Sequence, residues 1–101
     1  MATILVVEDD PIIRQTVEYA LKRAGFDTQT SGDGAEALEM ARSTPPDLIL
    51  LDLMLPGMDG YSFAQELRSS DKTTAIIMVT ARVEDVDRLI NALHKAREIF
   101  L

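Results

Sequence analysis

The stretch of residues 48–60, which reads LILLDLMLPGMDG, constrains the fold more than any other part of the chain. Apolar residues flank a single carboxylate, Asp52, and a turn sequence containing Pro, Gly and Asp follows. A short continuous apolar run of this kind predicts a strand that is buried on both faces, as in a parallel sheet. An ionisable side chain at the end of such a strand is costly to bury unless charged groups meet it. The rest of the chain is therefore expected to supply partners for Asp52.

Strands and helices are predicted to alternate along the chain. The predicted strands cover residues 3–7, 26–31, 47–52 and 75–79. The second of these is polar enough to lie at a sheet edge. Helices are predicted to begin at Asp10-Pro11, Gly32-Asp33-Gly34, Asp59-Gly60 and near Val83. Asp10 is expected to be an N-cap with Pro11 at the first helical position, and Gly25 is expected to end that helix.

Apolar residues at helical spacing indicate which side of each helix faces the core. The residues expected to face inward are Ile12, Ile13, Val17, Ala20, Leu21 and Ala24 on the first helix, Ala35, Leu38, Met40 and Ala41 on the second, and Tyr61, Phe63, Ala64 and Leu67 on the third. The alternation of strand and helix predicts an α/β fold, with a parallel sheet between helices on both faces.

Acidic residues follow two of the predicted strands. Glu8 and Asp9 come after the first strand, Asp52 ends the third, and the hydroxyl of Thr80 follows the fourth. Functional groups of an open parallel sheet gather at the carboxyl ends of its strands, so these residues are expected to converge. Mg²⁺ relieves the repulsion among carboxylates, because it prefers oxygen ligands. A carboxylate beside this metal is suited to form an aspartyl phosphate.

The composition limits the classes of partner. Ten basic and seventeen acidic residues give a net charge of −7, which argues against direct binding of nucleic acid. The chain has no cysteine, no apolar run long enough to span a membrane, and no secretory signal pattern. We therefore expect a cytoplasmic protein that forms a single domain over residues 1–101 and has no membrane partner.

Three motifs resemble those of the receiver domain of bacterial two-component response regulators. They read ILVVEDD, LILLDLMLPGMDG and IIMVTA, in the family's order, and the similarity covers roughly residues 3–90. The second motif is most like that of regulators with a winged-helix DNA-binding output domain. The resemblance implies a flavodoxin-like, doubly wound parallel sheet. It also implies phosphoryl transfer from a sensor histidine kinase or a small phosphodonor, and no enzymatic activity beyond phosphorylation and dephosphorylation of the domain itself.

The resemblance also assigns roles to individual residues. Asp52 corresponds to the phospho-acceptor, and Thr80 to the hydroxyl that switches position after phosphorylation. Mg²⁺ would be held by Asp9, by Glu8, by Asp52 and by the backbone carbonyl of Met54.

The sequence departs from the family after about residue 90. The family continues with a fifth strand, a Lys-Pro pair and a fifth helix, whereas residues 91–101 read NALHKAREIFL and contain no such pair. By the resemblance, loss of the family's lysine is expected to impair phosphorylation of Asp52. Two structures for this tail compete: a continuation of the fourth helix, which is favoured because no Gly or Pro interrupts it, and a stub of a fifth strand. In both cases the fourth strand would have an uncovered edge, which predicts a homodimer or higher assembly.

Two alternatives to a receiver remain. The first is a truncated or engineered receiver scaffold that folds or assembles without phosphotransfer, which the missing Lys-Pro pair favours. The second is a Mg²⁺-dependent phosphatase of the haloacid dehalogenase type. It is disfavoured because that family places its aspartyl nucleophile in a DxD-type pair after the first strand, and Glu8-Asp9-Asp10 does not match.

Overall fold

The computed structural model describes residues 2–52, 55 and 58–79, and within them strands and helices alternate as predicted. The elements are β1 (Thr3–Val7), α1 (Pro11–Arg23), β2 (Asp27–Ser31), α2 (Gly34–Ser43), β3 (Leu48–Asp52), α3 (Gly60–Arg68) and β4 (Ala75–Val79). The strands form a parallel sheet in the order β2-β1-β3-β4, which confirms the predicted α/β class. The predictions for the fourth helix, the tail and the edge beyond β4 lie outside the described residues.

The two central strands supply side chains to both faces of the sheet. Leu5 and Val7 of β1 point to one face, whereas Ile4 and Val6 point to the other, because side chains alternate along a strand. The first face is covered by α2 and α3, and the second by α1. This two-sided burial is why β1 and β3 read as uninterrupted apolar runs.

Helix α1 begins and ends at the residues that the sequence indicated. The Asp10 carboxylate accepts a hydrogen bond from the backbone N–H of Ile12 at 2.9 Å, as an N-cap does. At the other end, Gly25 has a φ of 94°, and its N–H donates to the carbonyl of Lys22. The N–H of Phe26 donates to the carbonyl of Leu21, which completes a Schellman motif. Phe26 therefore belongs to the helix cap and packs in the core, and β2 begins one residue later than predicted.

Three residues expected to face the core are exposed instead. The side chains of Ile12 and Tyr61 are 75% and 70% exposed, and Ala35 is exposed as well. Tyr61 lies two positions before the buried Phe63, which is about 200° around the helix axis. On α1 the buried stripe follows the spacing of Ile13, Val17 and Leu21, and Ile12 lies beside it.

Candidate metal centre

The register of the two central strands brings Glu8 and Asp52 together. Val7 of β1 pairs with Leu51 of β3 in parallel register, so the next residue of each strand lies at the same edge of the sheet. Those next residues are Glu8 and Asp52, and both are almost completely buried, at 5% and 6% exposed. The predicted convergence of Glu8 and Asp52 is therefore present among the described residues.

Asp9 completes a cluster of three carboxylates. One oxygen from each of Glu8, Asp9 and Asp52 can be chosen so that all three lie within 4.8 Å of one another. Glu8 and Asp52 form the buried side of this cluster, and Asp9 forms its exposed side. Such a set of hard oxygen donors, partly open to solvent, fits a divalent cation that keeps some of its waters, as Mg²⁺ does.

Burial changes the titration of Glu8. The pKa of its carboxyl is raised from 4.5 to about 7, chiefly because burial penalises the charged form. The N–H of Asp10 donates to Glu8 Oε1 at 3.1 Å and lowers the pKa, but the adjacent carboxyls of Asp52 and Asp9 raise it further. A cation among these three groups would offset both the cost of burying the charge of Glu8 and the repulsion between the carboxylates.

Two elements outside β1 hold the backbone that carries Glu8 and Asp9. The N–H of Glu8 donates to the carbonyl of Ser31 at the end of β2, at 3.0 Å. The guanidinium of Arg14, from α1, donates through Nη1 to the carbonyl of Glu8 at 2.9 Å and to that of Asp9 at 3.4 Å. Arg14 was not predicted from the sequence. No sequence pattern marks this role, because the oxygens that Arg14 contacts belong to the backbone.

The other predicted site residues are not described. Thr80 and Met54 lie outside the described residues, so the switch hydroxyl and the backbone ligand remain predictions from the sequence. Asp10, which the sequence placed as a cap, is confirmed in that role.

An open cavity of about 850 Å³ lies at the opposite end of the sheet from the carboxylates. Its lining includes Arg42, Asp47, Asp71 and Thr74. The Asp71 carboxylate accepts hydrogen bonds from Thr74, through its hydroxyl and its N–H, and from Thr73, and they hold its pKa well below the usual range. Asp71 therefore organises the turn between α3 and β4, and the chemistry indicated by the sequence lies with the three carboxylates instead.

Comparisons with known proteins agree with this geometry. The family described as the response regulator receiver domain matches residues 4–100. The DNA-binding response regulator MtrA of Mycolicibacterium smegmatis is 48% identical over 84 residues, which are 83% of this chain and 36% of that protein. The alkaline phosphatase synthesis transcriptional regulatory protein PhoP of Bacillus subtilis is 42% identical over 87 residues, which are 86% of this chain and 36% of that protein. The chain thus spans about a third of the length of these relatives.

Solved structures share the same architecture. The chemotaxis protein CheY4 of Vibrio cholerae aligns with a TM-score of 0.75 at 34% identity, over 93% of this chain and 80% of that one. The receiver domain of the Francisella response regulator 1452 aligns with a TM-score of 0.81 at 28% identity, over 96% of this chain and 99% of that one. Among the described residues, no helix is long and apolar enough to cross a membrane.

Proposed function

Since this chain belongs to the family of response regulator receiver domains, we propose that it is a phospho-acceptor module in which Asp52 receives a phosphoryl group. The observation that carries the proposal is the cluster of Glu8, Asp9 and Asp52, whose oxygens lie within 4.8 Å of one another at one edge of the sheet. Asp52 stands at the end of a central strand, where its backbone pairs with Val79 of β4 and the preceding residue pairs with Val7 of β1.

In the proposed reaction, a carboxylate oxygen of Asp52 attacks the phosphorus of the donor. A bond forms between that oxygen and phosphorus, and the bond from phosphorus to the donor breaks. The donor is the phosphohistidine of a sensor histidine kinase or a small acyl phosphate, and its leaving group departs with the electron pair of the broken bond. The transfer is to the protein's own side chain, so the module is not an enzyme for an external substrate.

Glu8, Asp9 and Asp52 would hold Mg²⁺ in this proposal, with the backbone carbonyl of Met54 as a further ligand. Bound Mg²⁺ supplies positive charge that offsets the negative charge of the phosphoryl oxygens. Asp9 is the most exposed of the three carboxylates, and Glu8 supports the site from the buried side. The hydroxyl of Thr80 would donate a hydrogen bond to a phosphoryl oxygen.

The proposal places the module in the cytoplasm and includes no contact with nucleic acid. The relatives are named as DNA-binding or transcriptional regulatory proteins, and this chain aligns with about a third of each. Its net charge of −7 disfavours contact with a phosphate backbone. We therefore assign this chain the receiving step alone.

Intact mass spectrometry tests the proposal directly. Incubation with Mg²⁺ and acetyl phosphate is expected to add the mass of one phosphoryl group, and Asp52→Asn is expected to abolish that gain. Asp27→Asn is the matched control, because Asp27 is an exposed carboxylate at the opposite end of the sheet. A folded chain that gains no mass would contradict phosphotransfer and favour the alternative of a receiver-like scaffold.

A further inference from the structure

The side chain of Arg14 turns back from α1 onto the loop that carries two of the three carboxylates. Its Nη1 donates to the backbone carbonyl of Glu8 at 2.9 Å and to that of Asp9 at 3.4 Å. Both of these acceptors are backbone oxygens and not carboxylates. The half-buried guanidinium therefore holds the backbone of the loop, and these two hydrogen bonds do not involve the carboxylate oxygens of Glu8 and Asp9.

Gly32 provides the space in which the guanidinium lies. A Cβ built on Gly32 would be 2.6 Å from Arg14 Nη1 and 3.6 Å from the carbonyl oxygen of Glu8. The shorter distance is below any real contact between such atoms, so a side chain at this position would displace the end of Arg14. Among the described glycines, Gly25 has a positive φ and Gly32 does not. The absence of a side chain at Gly32, and not its backbone conformation, thus leaves room for the guanidinium in this position.

The orientation of the peptide group between Glu8 and Asp9 determines where their carboxylates lie relative to Asp52. Residue Glu8 is held on its amino side, where its N–H donates to the carbonyl of Ser31 at 3.0 Å. On the carboxyl side, the carbonyl of Glu8 accepts a hydrogen bond from Arg14. Without Arg14, the carboxyl side of this peptide would lose the side-chain donor that ties it to α1. Outer-shell groups of this kind typically change metal affinity by about 10- to 100-fold when they are removed.

We propose that Arg14 is a positioning residue for the carboxylate cluster and that Gly32 is the gap that admits its guanidinium. The proposal rests on the proposed function only in treating the cluster as a site for a divalent cation. The proposal predicts that the two residues act as one unit, although Arg14 lies on α1 and Gly32 lies in the turn between β2 and α2.

Titration with Mg²⁺ alone, followed by NMR of the backbone amides of residues 8–10, tests this unit. Arg14→Ala is expected to weaken Mg²⁺ binding about tenfold. Gly32→Ala is expected to weaken it by up to the same extent, because the new methyl group displaces the flexible end of Arg14. The double variant is expected to bind no more weakly than Arg14→Ala, since both changes act on the same contact.

Two further variants separate positioning from general stability. Arg14→Lys keeps a cationic donor and is expected to recover part of the affinity. Arg23→Ala removes an exposed arginine from the last turn of the same helix and is expected to leave Mg²⁺ binding unchanged. Urea unfolding in metal-free buffer is measured for each variant, so that loss of affinity is compared with loss of stability.

Three results would overturn the proposal. The first is a folded Arg14→Ala chain that binds Mg²⁺ as tightly as the unmodified chain, even if its unfolding free energy has fallen. The second is a double variant whose losses add. The third is an unmodified chain with no Mg²⁺ response, which would overturn the metal-dependent function as well. Tight Mg²⁺ binding without a phosphoryl mass gain would contradict the proposed function alone.

Discussion

At the residue scale, the fold changes how the carboxyl of Glu8 titrates. The pKa of its carboxyl is raised to about 7, chiefly by burial and further by the carboxyls of Asp52 and Asp9. The folded chain therefore binds a proton here at pH values at which the unfolded chain has released it. Such a group favours folding at low pH and costs stability once it must ionise.

Metal-free chain is expected to lose stability as the pH rises from about 4.5 to about 7, the two pKa values of Glu8. Each unit of difference between the folded and unfolded pKa corresponds to about 1.4 kcal/mol of unfolding free energy. Urea unfolding at a series of pH values measures the effect. The lowered pKa of Asp71 has the opposite effect, because it makes the chain lose stability as the pH falls. That loss occurs only below the ordinary pKa of 3.8 and thus outside this pH window.

Glu8→Gln is the control for that pH dependence. Glutamine keeps the shape of the side chain and cannot ionise, so the fall in stability between these pH values is expected to become shallower. An unchanged slope in Glu8→Gln would assign the effect to other groups.

At the scale of elements, the ends of α1 show which local signals are sufficient to define structure. Asp10 and Pro11 begin the helix, and Gly25 takes the left-handed conformation that ends it, as their sequence predicts. The Schellman motif also places Phe26 against Leu21, in the core on the α1 side of the sheet. A single glycine thus links the end of a helix to the start of the edge strand.

Gly25→Ala is expected to lower the unfolding free energy by roughly 1–2 kcal/mol, the cost of the left-handed conformation for a residue with a Cβ. Denaturant unfolding measures this loss. Gly25→Asn is the matched comparison and is expected to cost less, because Asn adopts that conformation more readily. Equal losses in the two variants would show that the backbone angle does not account for the effect.

Helix α3 offers a contrast between two aromatic residues of the same element. Phe63 is fully buried against the sheet, so Phe63→Ala is expected to cost roughly 3–5 kcal/mol of unfolding free energy. Tyr61 is largely exposed, so Tyr61→Ala is expected to stay within about 0.5 kcal/mol of the unmodified chain. Comparable losses at the two positions, measured by denaturant unfolding, would contradict this assignment of the buried face.

The same contrast shows what the sequence could predict of the fold. The central strands β1 and β3 were predictable because strands buried on both faces are continuous apolar runs, as at residues 48–51. The inward faces of the helices were predicted less well. An apolar residue outside the buried stripe, such as Ile12 or Tyr61, looks the same in sequence as one within it.

At the scale of the whole molecule, the part of the candidate site that could be predicted is the part that the order of the parallel strands brings together. Glu8, Asp9 and Asp52 follow neighbouring parallel strands, and the carboxyl ends of such strands share one edge. Arg14 was not predictable in the same way, because it contacts backbone oxygens that no sequence pattern reveals. The roles of Thr80 and Met54 remain predictions.

Mg²⁺ is expected to stabilise the whole chain, because the three carboxylates converge only in the folded state. At a concentration 100-fold above the Kd, the gain is about 2.7 kcal/mol. For a domain of this size that is a rise in Tm of roughly 10 °C or more. A thermal melt with and without Mg²⁺ measures it.

Asp9→Asn is the control for this thermal shift, since it removes the exposed carboxylate of the cluster and is expected to reduce the rise in Tm. Asp27→Asn, at the opposite end of the sheet, is expected to preserve it. Equal shifts in the two variants would place the stabilising cation elsewhere on the molecule.

The strand order also has a consequence for the rates of folding and unfolding. Strands β1 and β3 are neighbours in the sheet, yet Thr3 and Asp47, which are hydrogen-bonded across them, are 44 positions apart in the chain. Closing so long a loop is slow, and the carboxylate cluster is complete only after it has closed. A cation that binds only the finished cluster stabilises the native state more than the transition state. Mg²⁺ should therefore slow unfolding while leaving the folding rate almost unchanged.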